Sequence, residues 1–394
     1  MGPSVIADLD TLLIALYVEL TDRIIPARSR GRRRGPGRPP AVTDAEVVCL
    51  AVAQVLLRYN DERHWLRAAP SRVGHLFPRL LSQPVYNRRL RATAWLLEAA
   101  LRWLADHTPA TTELLRLLDG TPVVCGRSRT TAVRSDLAGW AGYGHDTSHH
   151  CFYWGSRLLL VTTPDGTVTG FGLANPKLMG EREAVVGMLA MVPANRPAPG
   201  TLLVGDKGFA GRDFQAALAS LDLAIVRPAR AGELDPGSFP NWLRQRVEAI
   251  IWTLKHQLGL DRHGGRIPAG LWTRVVQRLL ALNAVVWFNW QIDAPVKRSL
   301  IAYDHSQPSH QQRKPHQRSR MNSPPSAVSA RASAASFSSA SDTPSQLGEP
   351  PANVSSSSEA KCRYARIPSR PEVRTPTSWA LSSITMRWAP NLTT

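Results

Sequence analysis

Leu202-Leu203-Val204-Gly205-Asp206-Lys207-Gly208-Phe209 is an apolar run that stops on an acid and a glycine-containing turn. A strand fits 201–206, which sets Asp206 at its end. A second acid, Asp119, ends the apolar run 114–118, broken by Arg116, and precedes Gly120-Thr121-Pro122-Val123-Val124. A third, Glu248, lies in 241–258, where apolar residues recur at helical spacing. Two carboxylates at strand ends and one on a later helix are a donor set for hard divalent cations. Two such ions clamp the attacking and leaving oxygens of an in-line displacement at phosphorus.

At roughly 100° per residue, Arg244 falls about 40° behind Glu248, Lys255 about 20° behind and Asn241 about 20° ahead. Val247, Ile250, Ile251, Leu254 and Leu258 occupy an adjoining sector, roughly 60–160° away. Glu248 is therefore expected at the margin of the buried face, where it meets both the end of a sheet and solvent. Taken alone, Arg244 and Glu248 also read as a surface ion pair at i,i+4 spacing.

The spacing Arg244-x-x-x-Glu248-x-x-x-x-x-x-Lys255 resembles the signature Tyr-x-x-Arg-x-x-x-Glu-x-x-x-x-x-x-Lys of the DDE transposases of bacterial insertion sequences. Asn241 stands where the tyrosine is usual, which bears on one DNA contact and leaves the metal ligand intact. Asp206-Lys207-Gly208-Phe209 resembles that family's Asp-Lys-Gly-Tyr at the second acid, and Leu-Leu-Asp-Gly-Thr-Pro-Val at 117–123 resembles the segment around the first. Phe-Pro-Arg-Leu-Leu-Ser-Gln-Pro-Val-Tyr-Asn-Arg-Arg-Leu at 77–90 and Trp-Gln-Ile-Asp-Ala-Pro-Val-Lys-Arg-Ser-Leu-Ile-Ala-Tyr at 290–303 look like the branch named after insertion sequence 982. The resemblance covers about 7–304.

It implies an α/β catalytic domain, an RNase H-like mixed sheet with flanking helices. It implies that Asp119, Asp206 and Glu248 hold two Mg²⁺ ions, with Mn²⁺ able to substitute. The implied reaction is cleavage at the ends of an insertion sequence and transfer of the freed 3′-OH to target DNA. The implied partners are double-stranded DNA, as terminal inverted repeats and as target, and a second copy of the chain in the DNA complex. Arg244 and Lys255 are expected to hold phosphates near the scissile bond. Two rivals stay open: an RNase H-like nuclease that cuts without joining, and a decayed remnant that only binds DNA.

The 394 residues carry a net charge of +18, with arginine far more frequent than lysine. Such an excess favours a polyanionic partner and suits bidentate phosphate recognition. The four cysteines, Cys49, Cys125, Cys151 and Cys362, are scattered without a Cys-x-x-Cys pair. That suggests neither a disulfide framework nor a zinc ribbon, and makes the bacterial cytosol, with the nucleoid, the expected location. No apolar run is long enough to span a bilayer. Asp8, Asp10 and Glu19 interrupt the first apolar stretch and argue against a signal peptide.

Residues 1–110 are expected to be all-helical, with helices near 7–25, 44–57, 61–69, 84–91 and 92–107. Thr43 and Glu46 form a capping-box pattern. The segment 26–40 is a basic Gly/Pro-rich arm bearing Arg32, Arg33, Arg34 and Arg38. Its Gly37-Arg38-Pro39 resembles an AT-hook, the alternative being a solvated linker. The helical region reads either as a helix-turn-helix-like DNA-binding unit or as a cap on the catalytic domain. The catalytic domain is assigned to 111–304, with strands at 114–125, 151–163, 167–174, 201–206 and 223–227. Helices fit 180–192, 211–221 and 268–291. A Gly-rich loop is expected at 139–144, leading to His145, His149 and His150. Arg127 and Lys207 are further candidates for phosphate contact. Residues 305–394, rich in Ser, Pro and Arg, cannot bury enough apolar surface to fold and are expected to be a disordered tail.

Overall fold

The computed structural model describes residues 7–29, 40–126, 128–146, 151–233 and 239–305. Arg32, Arg33, Arg34 and Arg38, Arg127, His149 and His150, and the tail from 306 lie outside the described residues.

Helices α1 (Leu9–Glu19), α2 (Ile25–Ser29), α3 (Asp44–Leu56), α4 (Glu62–Val73), α5 (Gln83–Ala92) and α6 (Ala94–Asp106) form the N-terminal region. The expected box opens α3: the Glu46 amide donates to Thr43 Oγ1 at 3.2 Å, and the Thr43 amide donates to Glu46 Oε2. From Val47 to Leu56 every residue of α3 is buried, so this helix is core all round.

The sheet follows as β1 (Leu115–Gly126), a short α7 (Arg129–Arg134), β2 (Gly142–Asp146), β3 (Cys151–Thr162) and β4 (Val168–Ala174). Next come α8 (Glu181–Met191), β5 (Leu202–Val204), α9 (Arg212–Ala219), β6 (Ala224–Val226), α10 (Asn241–Trp252) and α11 (Pro268–Gln291). β3 pairs antiparallel with β1, β2 and β4, while β5 runs parallel to both β1 and β6. The order β4-β3-β1-β5-β6 is the mixed, RNase H-like sheet, and β2 adds a strand along the far half of β3.

Alternate residues of the strands divide between two cores, as the pleat requires. Leu118, Leu159, Val161 and Leu203 pack under α8 and α9. Leu117, Leu158, Leu160 and Val204 share the opposite core with α10, α11 and the N-terminal helices. Asn283 of α11 ties these layers together: its amide donates to Leu101 O (3.2 Å) and Val168 O (2.9 Å), and its oxygen accepts from the Val168 amide (2.8 Å). Arg116, which breaks the apolar run of β1, is buried by donating to the carbonyls of Thr111, Glu113 and Leu115 at 2.6–2.8 Å.

Four expectations change. The arm expected from Pro26 does not begin there: the helix set off at Leu9 continues through a π-turn, Leu20–Ile24, into α2, which holds Pro26 and runs to Ser29. Residues 142–146 form a strand rather than part of a Gly-rich loop. A Cβ at Gly144 would strike the Tyr153 ring of the partner strand, so close packing requires the glycine. Asp119 ends the apolar run but not the strand: as the strand expected at 114–125 implies, antiparallel pairing with β3 continues to Gly126. Residues 241–258 are not one α-helix: α10 passes at Thr253 into a π-turn, Thr253–Gln257, and Gly259 in the left-handed region (φ +67°) ends the run.

Candidate active site

Parallel pairing of β1 with β5 matches Leu117 to Val204, and β5 stops there. Extending the register by two residues sets Asp119 beside Asp206. Asp119 shares the face of Leu117, toward α10. Beyond Val204 the chain turns: the Asp206 side chain accepts from the Gly208 amide at 2.7 Å and caps a single 3₁₀ turn, Lys207–Phe209. Glu248 reaches the same place from α10, whose buried side carries Leu243, Val247 and Ile250.

These three acids line one cleft of about 350 Å³, together with Arg244, Lys255, Asp146, Phe239, Trp252 and His256. Glu248 is exposed, and Arg244 Nε donates to its Oε1 at 3.0 Å. The surface ion pair and membership of the cleft thus coexist. The π-turn alters the helical phase at Lys255, yet its side chain still lines the cleft. Lys207 is exposed on the turn beside Asp206, and its carbonyl accepts from Arg230 Nε at 3.0 Å.

Asp119 is raised from the ordinary carboxylate range to about 7. Burial is the largest cause; the Gly120 amide, donating to Oδ1 at 2.7 Å, opposes it, and the charges of Asp206, Glu181 and Glu248 add to it. Glu181, the first residue of α8, is also raised, mainly by burial, with Arg157 lowering it and Asp206 raising it. Arg157 Nε stands 3.9 Å from its carboxylate. Glu181 approaches from the opposite face of β1: a Cβ on Gly120 would collide with its Oε1. In sequence Glu181 looks like an ordinary acid in a first helical turn, favourable to the helix dipole. Only the register of β1 reveals its neighbour. Trp252 and His256 join the cleft without having been expected there; their one signal in the sequence is that they stand four and eight residues after Glu248.

Among the described residues, no three His, Cys, Asp or Glu side chains converge closely enough to hold one metal ion. The donor type nevertheless fits a hard divalent cation: the carboxylates that share the cleft are all oxygen donors, and a bound cation would offset the repulsion that Asp206 and Glu248 exert on Asp119. Also among the described residues, no helix is long and apolar enough to cross a membrane.

No protein-family model and no curated protein matches the chain. Among solved structures, the crystal structure of a pre-cleavage Mos1 transpososome aligns with a TM-score of 0.19 and 12% identity, over 74% of this chain and 97% of that one. A likeness at that level bears on neither the fold nor the chemistry.

Proposed function

We propose that the chain is a transposase that cleaves DNA at the ends of an insertion sequence and transfers the strand to target DNA. One observation carries the reading: three acids, distant in sequence, border one cleft of an RNase H-like sheet, beside Arg244 and Lys255. The signature spacing of Arg244, Glu248 and Lys255 supports the transposase branch over other phosphodiester chemistry. Asp119, Asp206 and Glu248 would hold two Mg²⁺ ions, which when bound activate the attacking water or 3′-OH and stabilise the leaving oxygen. Lys255 holds a phosphate as a point charge beside the scissile bond, and Arg244 does so as a planar fork once a DNA phosphate replaces the Glu248 carboxylate as its acceptor. Lys207 serves the same backbone at the rim. Arg32, Arg33, Arg34, Arg38 and Arg127 extend the footprint along double-stranded DNA, and the DNA complex contains two copies of the chain.

The test uses purified full-length protein, Mg²⁺ and a plasmid carrying the DNA that flanks the coding sequence on both sides. Nicking at the flanks followed by joined products is the expected result. Nicking without joining leaves the nuclease reading, and binding without nicking leaves the decayed remnant. Alanine at Asp119, Asp206 or Glu248 should abolish nicking and leave DNA binding intact. Near-normal nicking by two of these variants would overturn the site assignment.

A further inference from the structure

Trp252 is the last residue of α10 and lines the carboxylate cleft, yet it is 53% exposed. It stands four residues after Glu248 and three before Lys255, and all three side chains line the cleft. The His256 ring flanks it, with centroids 5.2 Å apart and planes inclined at 38°. Nothing in the fold calls for an indole there: the buried side of the helix is supplied by Leu243, Val247, Ile250 and Leu254. The position joins a half-exposed indole, a lysine and an acid proposed to work on phosphate. A nucleobase offers the matching combination, a flat π-surface on an anionic backbone. A base inside a duplex has both faces covered by its neighbours, so an indole can stack only on one that is unpaired or at a strand end.

We propose that Trp252 is the stacking platform for an unpaired nucleobase next to the phosphate held at the cleft. The inference rests on the polynucleotide reading above and names the substrate feature that this reading leaves open: a locally opened duplex end.

The experiment uses the full chain in EDTA, so that neither metal nor turnover is involved. The probes are a DNA duplex with a short 3′ overhang containing 2-aminopurine and the same duplex with blunt ends. Wild type should quench the 2-aminopurine emission and bind the overhang duplex more tightly than the blunt one. Trp252→Ala should lose the quench and about tenfold in affinity for the overhang duplex, with blunt-end affinity unchanged. Trp252→Phe should keep most of both. Trp242→Ala, at an exposed tryptophan of the same helix outside the cleft wall, should behave as wild type. Unchanged emission with wild type overturns the proposal. So does a Trp252→Ala variant that retains the overhang preference, or one that weakens both duplexes equally. Loss of stacking with intact Mg²⁺-dependent nicking removes this inference alone; intact stacking without nicking removes the catalytic reading alone.

Discussion

Two groups of ionisable side chains sit within this fold, and they are treated in opposite ways. Between α3, α4, α5 and α11, the buried charges are partnered. Glu62 accepts from Arg274, from Gln83 Nε2 at 2.9 Å and from Asn87 Nδ2 at 3.0 Å. Arg278, almost fully enclosed, donates to Gly259 O at 3.0 Å and Arg274 O at 2.9 Å. Gln277, Gln54 and Tyr86 complete the network. Burial lowers Arg274 to about 10 and Arg278 to about 9, still protonated at neutral pH. In the cleft, by contrast, Asp119 accepts one backbone hydrogen bond and otherwise faces other acids. The first arrangement finds its hydrogen-bond partners within the chain and serves the fold. In the second, Asp119 is left with no cation among the groups that act on it, a deficit that the proposed binding of cations would offset.

The contrast can be broken most forcefully at Glu62. Glu62→Ala strands Arg274 in the core and should lower stability by about 3–5 kcal/mol in urea unfolding. A loss below about 1 kcal/mol would mean that the buried network is no more self-contained than the cleft.

Asp119→Asn should act in the other direction. Because the folded state holds the Asp119 proton up to about pH 7 and the unfolded chain releases it near pH 4, folding takes up a proton between those values. Wild-type stability therefore falls as pH rises through that window. Asparagine, which keeps an acceptor for the Gly120 amide, should be on the order of 2–4 kcal/mol more stable than wild type at pH 8 and little different below pH 4. Mg²⁺ should raise the wild-type melting temperature at pH 8 and affect the variant less. A flat difference across pH would show that Asp119 is not under charge stress.

At Lys255 the comparison is sharpened by rate. Lys255→Ala should slow single-turnover cleavage at saturating DNA by about tenfold, or about 1.4 kcal/mol of barrier, with arginine restoring part of it. Affinity should change far less, since many arginines share the backbone. A rate within about twofold of wild type would make Lys255 a mere surface charge. The smallest effect per residue is expected in the arm. Deleting 26–40 should reduce the slope of log affinity against log salt by about 0.9 for each phosphate that the arm neutralises, as read by fluorescence anisotropy across a salt series. An unchanged slope would confine the DNA interface to the rest of the chain.

Much of the architecture is legible in the sequence because local patterns and tertiary demands agree. The run 268–291 is too long for a strand and opens on a proline, which suits a helix start, and α11 has those bounds. Thr43 and Glu46 announce the start of α3 through hydrogen bonds made within four residues. Pro164-Asp165-Gly166 reads as a turn, and the Gly166 amide closes it onto Thr163 O at 3.0 Å. The features that local patterns miss depend on partners distant in sequence. Strand β2 is glycine-rich and unpersuasive alone, and exists through its ladder with β3. The π-turn at 253–257 breaks a period that, read by itself, continues to Leu258.

The acids, their order and the elements that carry them are written in the amino-acid sequence, because helix periodicity, turn residues and signature spacing are relations between neighbouring side chains. Folding in three dimensions was needed to pair Leu117 with Val204 and so align Asp119 with Asp206. It also brought Glu181 over Gly120, left Trp252 half-exposed at the cleft wall, and enclosed Arg278 while leaving Asp119 among like charges. Register, burial and electrostatic environment arise between segments far apart in the chain, and no local pattern encodes them.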